Sequence, residues 1–223
     1  MRTRALLPSE VSLLERSLAE RGQHRDRLML LLLASTGFRI SELLTLHFGQ
    51  LLSPGGAIAH ELTIERQLLK GGRGARRRSV RSRRVVLNEC ARSAIEEFLC
   101  RLECLPPPGG PVFLSPKGDG RPIRRGQAHH IFKKIAREVG IDATRIGCHS
   151  LRKAYARGIY EASGKDLLRT QRLIGHTSPL TTTAYIESDQ RELDELALGF
   201  NPLAPLADSP RAARPETMRF TAG

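Results

Sequence analysis

The chain has 223 residues, which suits one large domain, or one domain with a tail. The hydrophobic share is 40%, yet aromatics make up only 4% and tryptophan is absent, so the core must be aliphatic. Lys and Arg number 36 against 23 Asp and Glu, and the resulting net charge of +13 points to a polyanionic partner, nucleic acid before an anionic membrane.

The first expected element is a helix from Ser9 to Arg21, capped by Ser9, with Val11, Leu14 and Leu18 at helical spacing. A mostly apolar helix follows from His24 to Ser35 and stops at Thr36-Gly37. Its run Leu28 to Ala34 is too short to cross a bilayer, and no apolar leader follows the basic N-terminus. A third helix starts near Arg39 and turns Ile40, Leu43, Leu44 and Leu46 inward. Pro54-Gly55-Gly56 marks a turn.

Alternation over Glu61 to Leu69 predicts a strand, and Arg83 to Leu87 its partner, with Lys70 to Ser82 as the hairpin loop. Between Arg66 and Asn88 stand Arg66, Lys70, Arg73, Arg76, Arg77, Arg78, Arg81, Arg83 and Arg84, with no acid among them. Such a run repels itself unless phosphate or solvent neutralises it. Asn88 caps a helix expected to reach Leu105. Further helices are expected over Gly126 to Val139, His149 to Ser163 and Asp166 to Ile174, with short ones over Leu180 to Ile186 and Asp189 to Leu198. Residues 201–223 lose periodicity and read as a flexible C-terminal tail to a domain spanning 1–200. The fold class is α+β, mainly α, with a small antiparallel sheet. Cys90, Cys100, Cys104 and Cys148 show no metal-binding spacing, which reads as a reducing, cytoplasmic protein without a metal site.

Several residues could carry chemistry, though each has an ordinary explanation. Arg39 stands at a helix start with Glu42 three residues on, the spacing of an ion pair. His149 and Arg152 share a helix face, where two donors suit an anionic oxygen. His176 follows a helix-ending glycine, as a capping or core imidazole would. Tyr185 lies nine residues later beside Ile186, as a packing tyrosine would.

Taken in order, these residues resemble the tyrosine recombinase (phage integrase) family. The segments are TGFRISELL (36–44), LLKGG (68–72), HSLRKAYA (149–156), RLIGHTS (172–178) and TTTAYIE (181–187). The resemblance spans about residues 7–200 and implies that family's catalytic-domain fold, helical with a three-stranded antiparallel sheet. It also implies a site-specific recombinase or integrase that cuts and rejoins double-stranded DNA through a 3′-phosphotyrosyl link. Arg39 and Arg152 would hold the non-bridging phosphate oxygens, with His176 as a third donor and Glu42 in support. His149 would take the proton of Tyr185, and Lys70 would protonate the departing 5′ oxygen. No cofactor is implied. Arg66, Arg73, Arg76, Arg77, Arg78, Arg81, Arg83, Arg84, Lys133 and Lys134 would contact the DNA backbone.

The chain departs from the family in two ways. The stretch after Lys70 is longer and richer in arginine than usual. No helical clamp (core-binding) domain precedes the catalytic part, so a partner chain would be one source of it. Family practice further implies a homo-tetramer on DNA. The alternatives are a type IB topoisomerase-like relaxer or resolvase, and a non-cutting DNA-binding relative that modulates a partner.

Overall fold

The computed structural model describes residues 3–65, 82–118, 120–176, 182–183 and 186. The chain divides into the units Met1–Glu187 and Ser188–Gly223, and every described residue belongs to the first. The expected helices over Asp189 to Leu198, the 201–223 tail and the hairpin loop's residues 70–81 lie outside the described residues.

The architecture among the described residues is mainly helical. Helices α1 (Pro8–Glu20), α2 (His24–Thr36), α3 (Ile40–Leu43) and α4 (Phe48–Leu51) precede strands β1 (Glu61–Ile64) and β2 (Arg83–Val86). Helices α5 (Glu89–Leu99), α6 (Arg125–Glu138), α7 (Cys148–Ala162) and α8 (Leu167–Ile174) follow, with a 3-10 turn at Ala143–Arg145.

Helix α2 is the centre of the core. It packs against α1, α5 and α7 and buries Leu28, Met29, Leu30, Leu32 and Leu33. A helix apolar on so many sides must be surrounded by others. Leu14 and Leu18 of α1, Ala91 and Ile95 of α5 and Leu151 of α7 belong to the same cluster. Phe48 and Phe98 stack at 6.4 Å, and Phe38, Phe113 and Phe132 are buried in the same mainly aliphatic core.

Helix starts differ from expectation at α1. Ser9 is not the cap; Leu7 is, with Pro8 in the first turn and the Glu10 carboxylate accepting the Leu7 N–H at 2.8 Å. This is one half of a capping box: the Glu10 side chain serves the cap residue's own N–H, while the leucine side chain accepts nothing in return. The same return bond starts α3, where the Arg39 N–H donates to Glu42 Oε2 at 2.8 Å. Asn88 caps as expected, accepting the Ala91 N–H, while Asp166, expected as the first helical residue, is the cap of α8 and accepts the Arg169 N–H. Helix α5 stops at Leu99, short of Leu105, with Cys100 as its C-terminal cap.

The sheet has two strands among the described residues instead of three. Leu62 faces Val85 and Ile64 faces Arg83 in an antiparallel ladder. Ahead of β1 the chain makes isolated bridges, His47 to Pro111 and Leu52 to Ile58, the second closed by the Pro54-Gly55-Gly56 turn. Alternation in β2 sends Arg83 and Val85 inward and leaves Arg84 and Val86 exposed.

At two helix ends the C-terminal cap is itself a left-handed glycine: Gly37 after α2 (φ +60°) and Gly175 after α8 (φ +72°). Both also admit a side chain. A Cβ on Gly37 would lie 2.3 Å from Tyr155 Cδ1, and one on Gly175 would lie 3.2 Å from the Cδ and Nε of Arg83. Gly22, at φ +64°, has nothing nearer than 3.7 Å. In urea unfolding, Gly22→Ala should therefore cost about 1 kcal/mol from backbone strain alone. Gly37→Ala should cost about 2–4 kcal/mol, because strain and the Tyr155 clash add. Equal losses would show that the Tyr155 contact is easily relieved.

Candidate active site

The ends of α2 and α8 each leave backbone carbonyls that no helical N–H can satisfy. Two arginines bridge them. Arg152, fully buried on α7, donates from one terminal nitrogen to Gly37 O and from the other to Ile174 O at 3.0 Å. Arg83 donates to Thr36 O at 3.2 Å and to Leu173 O at 3.1 Å. Helix C-termini carry partial negative charge, so cations are favoured at both.

Arg39 caps α3 just beyond the α2 end. Its guanidinium donates to Glu42 Oε1 at 2.6 Å, while Arg83 reaches Glu42 Oε2 at 3.4 Å. Glu42 is almost wholly buried, whereas the Arg39 side chain is about a quarter exposed, 27%. One buried carboxylate thus steadies two arginines that would otherwise repel. A charge-assisted pair of this kind holds direction as well as charge.

His149 and Arg152 lie on successive turns of α7, and His176 lies just past the end of α8. His176 is buried; its Nδ1 and the hydroxyl of buried Thr182 are 3.0 Å apart. Burial first, then the charges of Arg152, Arg39, Arg83 and His149, pushes its pKa down to about 3. Arg152 bonds Gly37 O and Ile174 O, two residues before Arg39 and two before His176, and His149 stands one turn away on α7, so Arg39, His149, Arg152 and His176 form one cluster. His149 keeps an exposed face, though enough protein surrounds its ring that desolvation is the largest cause of its lowered pKa. Arg152, Arg39 and Lys153 add to the shift. Both histidines are accordingly neutral near pH 7, one able to accept a proton and the other to share a hydrogen bond without adding charge.

The structure therefore brings together Arg39, Glu42, His149, Arg152 and His176. Lys70 and Tyr185 lie outside the described residues, as do Arg66, Arg73, Arg76, Arg77, Arg78 and Arg81. Exposed Arg84 pairs with Glu61, and Lys134 lies 3.9 Å from Glu138 on α6, beside half-buried Lys133. Arg84 and Lys134 stand on the surface, Lys133 only in part. Arg83 does not. It was expected on the DNA-facing surface, but strand alternation turns it inward, where its Cζ lies 5.5 Å from the centre of the Phe38 ring.

Two neighbours of the cluster were missed. Tyr155 packs on Gly37, and burial raises its phenol pKa while Arg83 and Arg152 oppose the rise. Thr182 meets His176. For Arg83 a signal existed: it shares the parity of Val85 and Leu87, both buried. Among the described residues no group of three His, Cys, Asp or Glu is arranged for a metal ion, and no helix is long and apolar enough to cross a membrane. Cys148 is buried, which pushes its thiol up to about 12, while Cys90, Cys100 and Cys104 are exposed.

Comparison with known proteins adds to this geometry. The family model described as "Phage integrase family" matches residues 5–192. Tyrosine recombinase XerC of Pseudomonas fluorescens is 34% identical over 197 residues, covering 86% of this chain and 55% of that protein. Tyrosine recombinase XerD of Corynebacterium glutamicum is 30% identical over 180 residues, covering 81% and 54%. The chain thus spans about half the length of these relatives. A crystal structure of XerA recombinase aligns with a TM-score of 0.66 at 20% identity, over 89% of this chain and 65% of that one. XerH site-specific recombinase bound to palindromic difH substrate, a post-cleavage complex, aligns at 0.64 and 23%, over 88% and 53%.

The neutral buried His176 has a measurable consequence. Its pKa is lowered on folding, so the unfolded chain binds a proton that the folded chain refuses. Stability from this group is complete above the unfolded value of about 6.5 and declines as pH falls towards the folded value of about 3. The slope approaches about 1.4 kcal/mol per pH unit within that window. His176→Gln should flatten the decline in urea unfolding between pH 6.5 and 4.5. An unchanged slope would mean that His176 is protonated in the folded chain.

Proposed function

Because this chain belongs to the phage integrase family, we propose that it cuts and rejoins DNA strands through a covalent link to Tyr185. One observation carries the reading: Arg152 bonds Gly37 O and Ile174 O, two residues before Arg39 and two before His176, with His149 one turn away on its own helix. Matched residues 5–192 include Tyr185, nine positions after His176.

In this mechanism the Tyr185 phenolic oxygen attacks phosphorus and its proton passes to His149. An imidazole already held neutral is ready to take it. Charge on the non-bridging oxygens is met by Arg39 and Arg152, and His176 shares a hydrogen bond with them. The 5′ oxygen leaves with a proton from Lys70. A 3′-phosphotyrosyl diester and a 5′-hydroxyl result, and a 5′-hydroxyl from another strand reverses the step. No net bond energy is lost, so rejoining needs no outside energy source. Glu42 keeps Arg39 in place without contacting substrate.

Duplex DNA would be held through Arg84, Lys133, Lys134 and the basic run 66–81, mostly at phosphates. Site-specific recombination by a tetramer on DNA, with clamp contacts supplied by further protein, is the assembly we favour. Such a protein would work in the cytoplasm, on the DNA of a prokaryotic cell or its mobile elements. We assign 1–200 to the catalytic domain and 201–223 to a tail.

A suicide-substrate assay tests the chemistry: a nicked duplex loses the 5′ fragment after cleavage and traps the adduct for a denaturing gel. Wild type should form the adduct, Tyr185→Phe should form none, and Tyr155→Phe should retain it. Loss of the adduct in Tyr155→Phe but not in Tyr185→Phe would exchange the nucleophile. No wild-type adduct would favour a binder that does not cut. Lys70→Ala should slow cleavage by about 10²–10⁴-fold. A substrate with sulfur as the 5′ leaving atom, which needs no proton, should restore the rate. An unrescued defect would assign the proton to another group.

A further inference from the structure

Arg83 is the most heavily engaged side chain in the cluster that the proposed mechanism does not use. It stands at the start of β2, opposite Ile64. Its guanidinium meets four elements at once: the α2 end at Thr36 O, the α8 end at Leu173 O, the Glu42 carboxylate and the Phe38 ring. Gly175 allows its stem to pass, since a Cβ there would crowd Arg83 Cδ and Nε at 3.2 Å.

We propose that Arg83 is a positioning residue that sets Arg39 and His176 against the scissile phosphate. The inference rests on the strand-cutting function proposed above. Through Glu42 it fixes the carboxylate that aims Arg39. Through Thr36 O and Leu173 O it fixes the spacing of the two helix ends, one leading into Arg39 and the other into His176. Arg152 bridges the same ends one residue further along each, at Gly37 O and Ile174 O. Two parallel bridges determine an orientation where one would leave a hinge.

The planar fork is what the position requires. One terminal nitrogen serves both carbonyls while the other serves Glu42, and a lysine has a single nitrogen for the three acceptors. Burial costs a cation much of its hydration, and at Arg83 burial is the main influence lowering the pKa. A DNA-contacting arginine would gain nothing from that position.

The test compares cleavage of an ordinary phosphodiester with cleavage of a methylphosphonate at the scissile position. The methylphosphonate lacks the non-bridging charge that Arg39 meets. Arg83→Met keeps the length and packing of the stem and removes the fork. Single-turnover cleavage of the phosphodiester should fall roughly 10- to 100-fold, the scale of a small misplacement of a catalytic group. Cleavage of the methylphosphonate, and DNA affinity, should change by less than about 3-fold. Arg83→Lys, with its charge kept, should show the same substrate dependence with a smaller loss, and it decides the matter if Arg83→Met does not fold. Equal losses on both substrates would reduce Arg83 to a structural residue, and no loss on either would also overturn the proposal. A wild-type chain that cuts neither substrate would instead count against the strand-cutting function itself.

Discussion

Two helices end facing one another, and their unsatisfied carbonyls set the terms for everything around them. A buried carbonyl without a partner costs about 1–3 kcal/mol. The α2 and α8 ends present four carbonyls, those of buried Thr36, Gly37 and Ile174 and of exposed Leu173, all taken by Arg83 and Arg152. The solution to a folding problem therefore gathers positive charge at one place. On the proposed reading, the same charge is what a phosphodiester under attack needs.

Gathered arginines repel, and the structure answers this in two ways. Glu42 is buried between Arg39 and Arg83 and offsets part of their charge. The histidines contribute none, since burial and the arginines hold both below their ordinary pKa. The result is graded. Arg152 and Arg83 lie inside and are tied to backbone, while Arg39 keeps part of its side chain in solvent. On the proposed reading, a phosphate would meet Arg39 and exposed His149 before the two inner arginines.

Much of this was legible in the sequence because period and punctuation agree. The apolar run of α2, the Gly37 and Gly175 stops and the Asn88 cap all read directly, and the Arg39–Glu42 spacing foretold the ion pair. What was not legible depended on tertiary context. Leu7 could replace Ser9 as the α1 cap only because Glu10 turns back to its N–H. Arg83 looked like one more member of a basic run, since its charge is visible in sequence and its four partners are not. Those partners come from residues 36–42 and 173, distant along the chain. Tyr155 was hidden for a similar reason: its role follows from the absence of a side chain at Gly37.

On the proposed reading, the charge collected at the two helix ends is arranged around a phosphate carried by Tyr185. A crystal structure of the trapped covalent intermediate, grown from nicked DNA, would test this most directly. The phosphorus should be bonded to the Tyr185 oxygen, with Arg39, Arg152 and His176 within hydrogen-bonding distance of its non-bridging oxygens. His149 should stand beside the phenolic oxygen, with Arg83 still bonded to Thr36 O and Leu173 O. A phosphate joined to another residue, or one lying beyond reach of both Arg39 and Arg152, would contradict it.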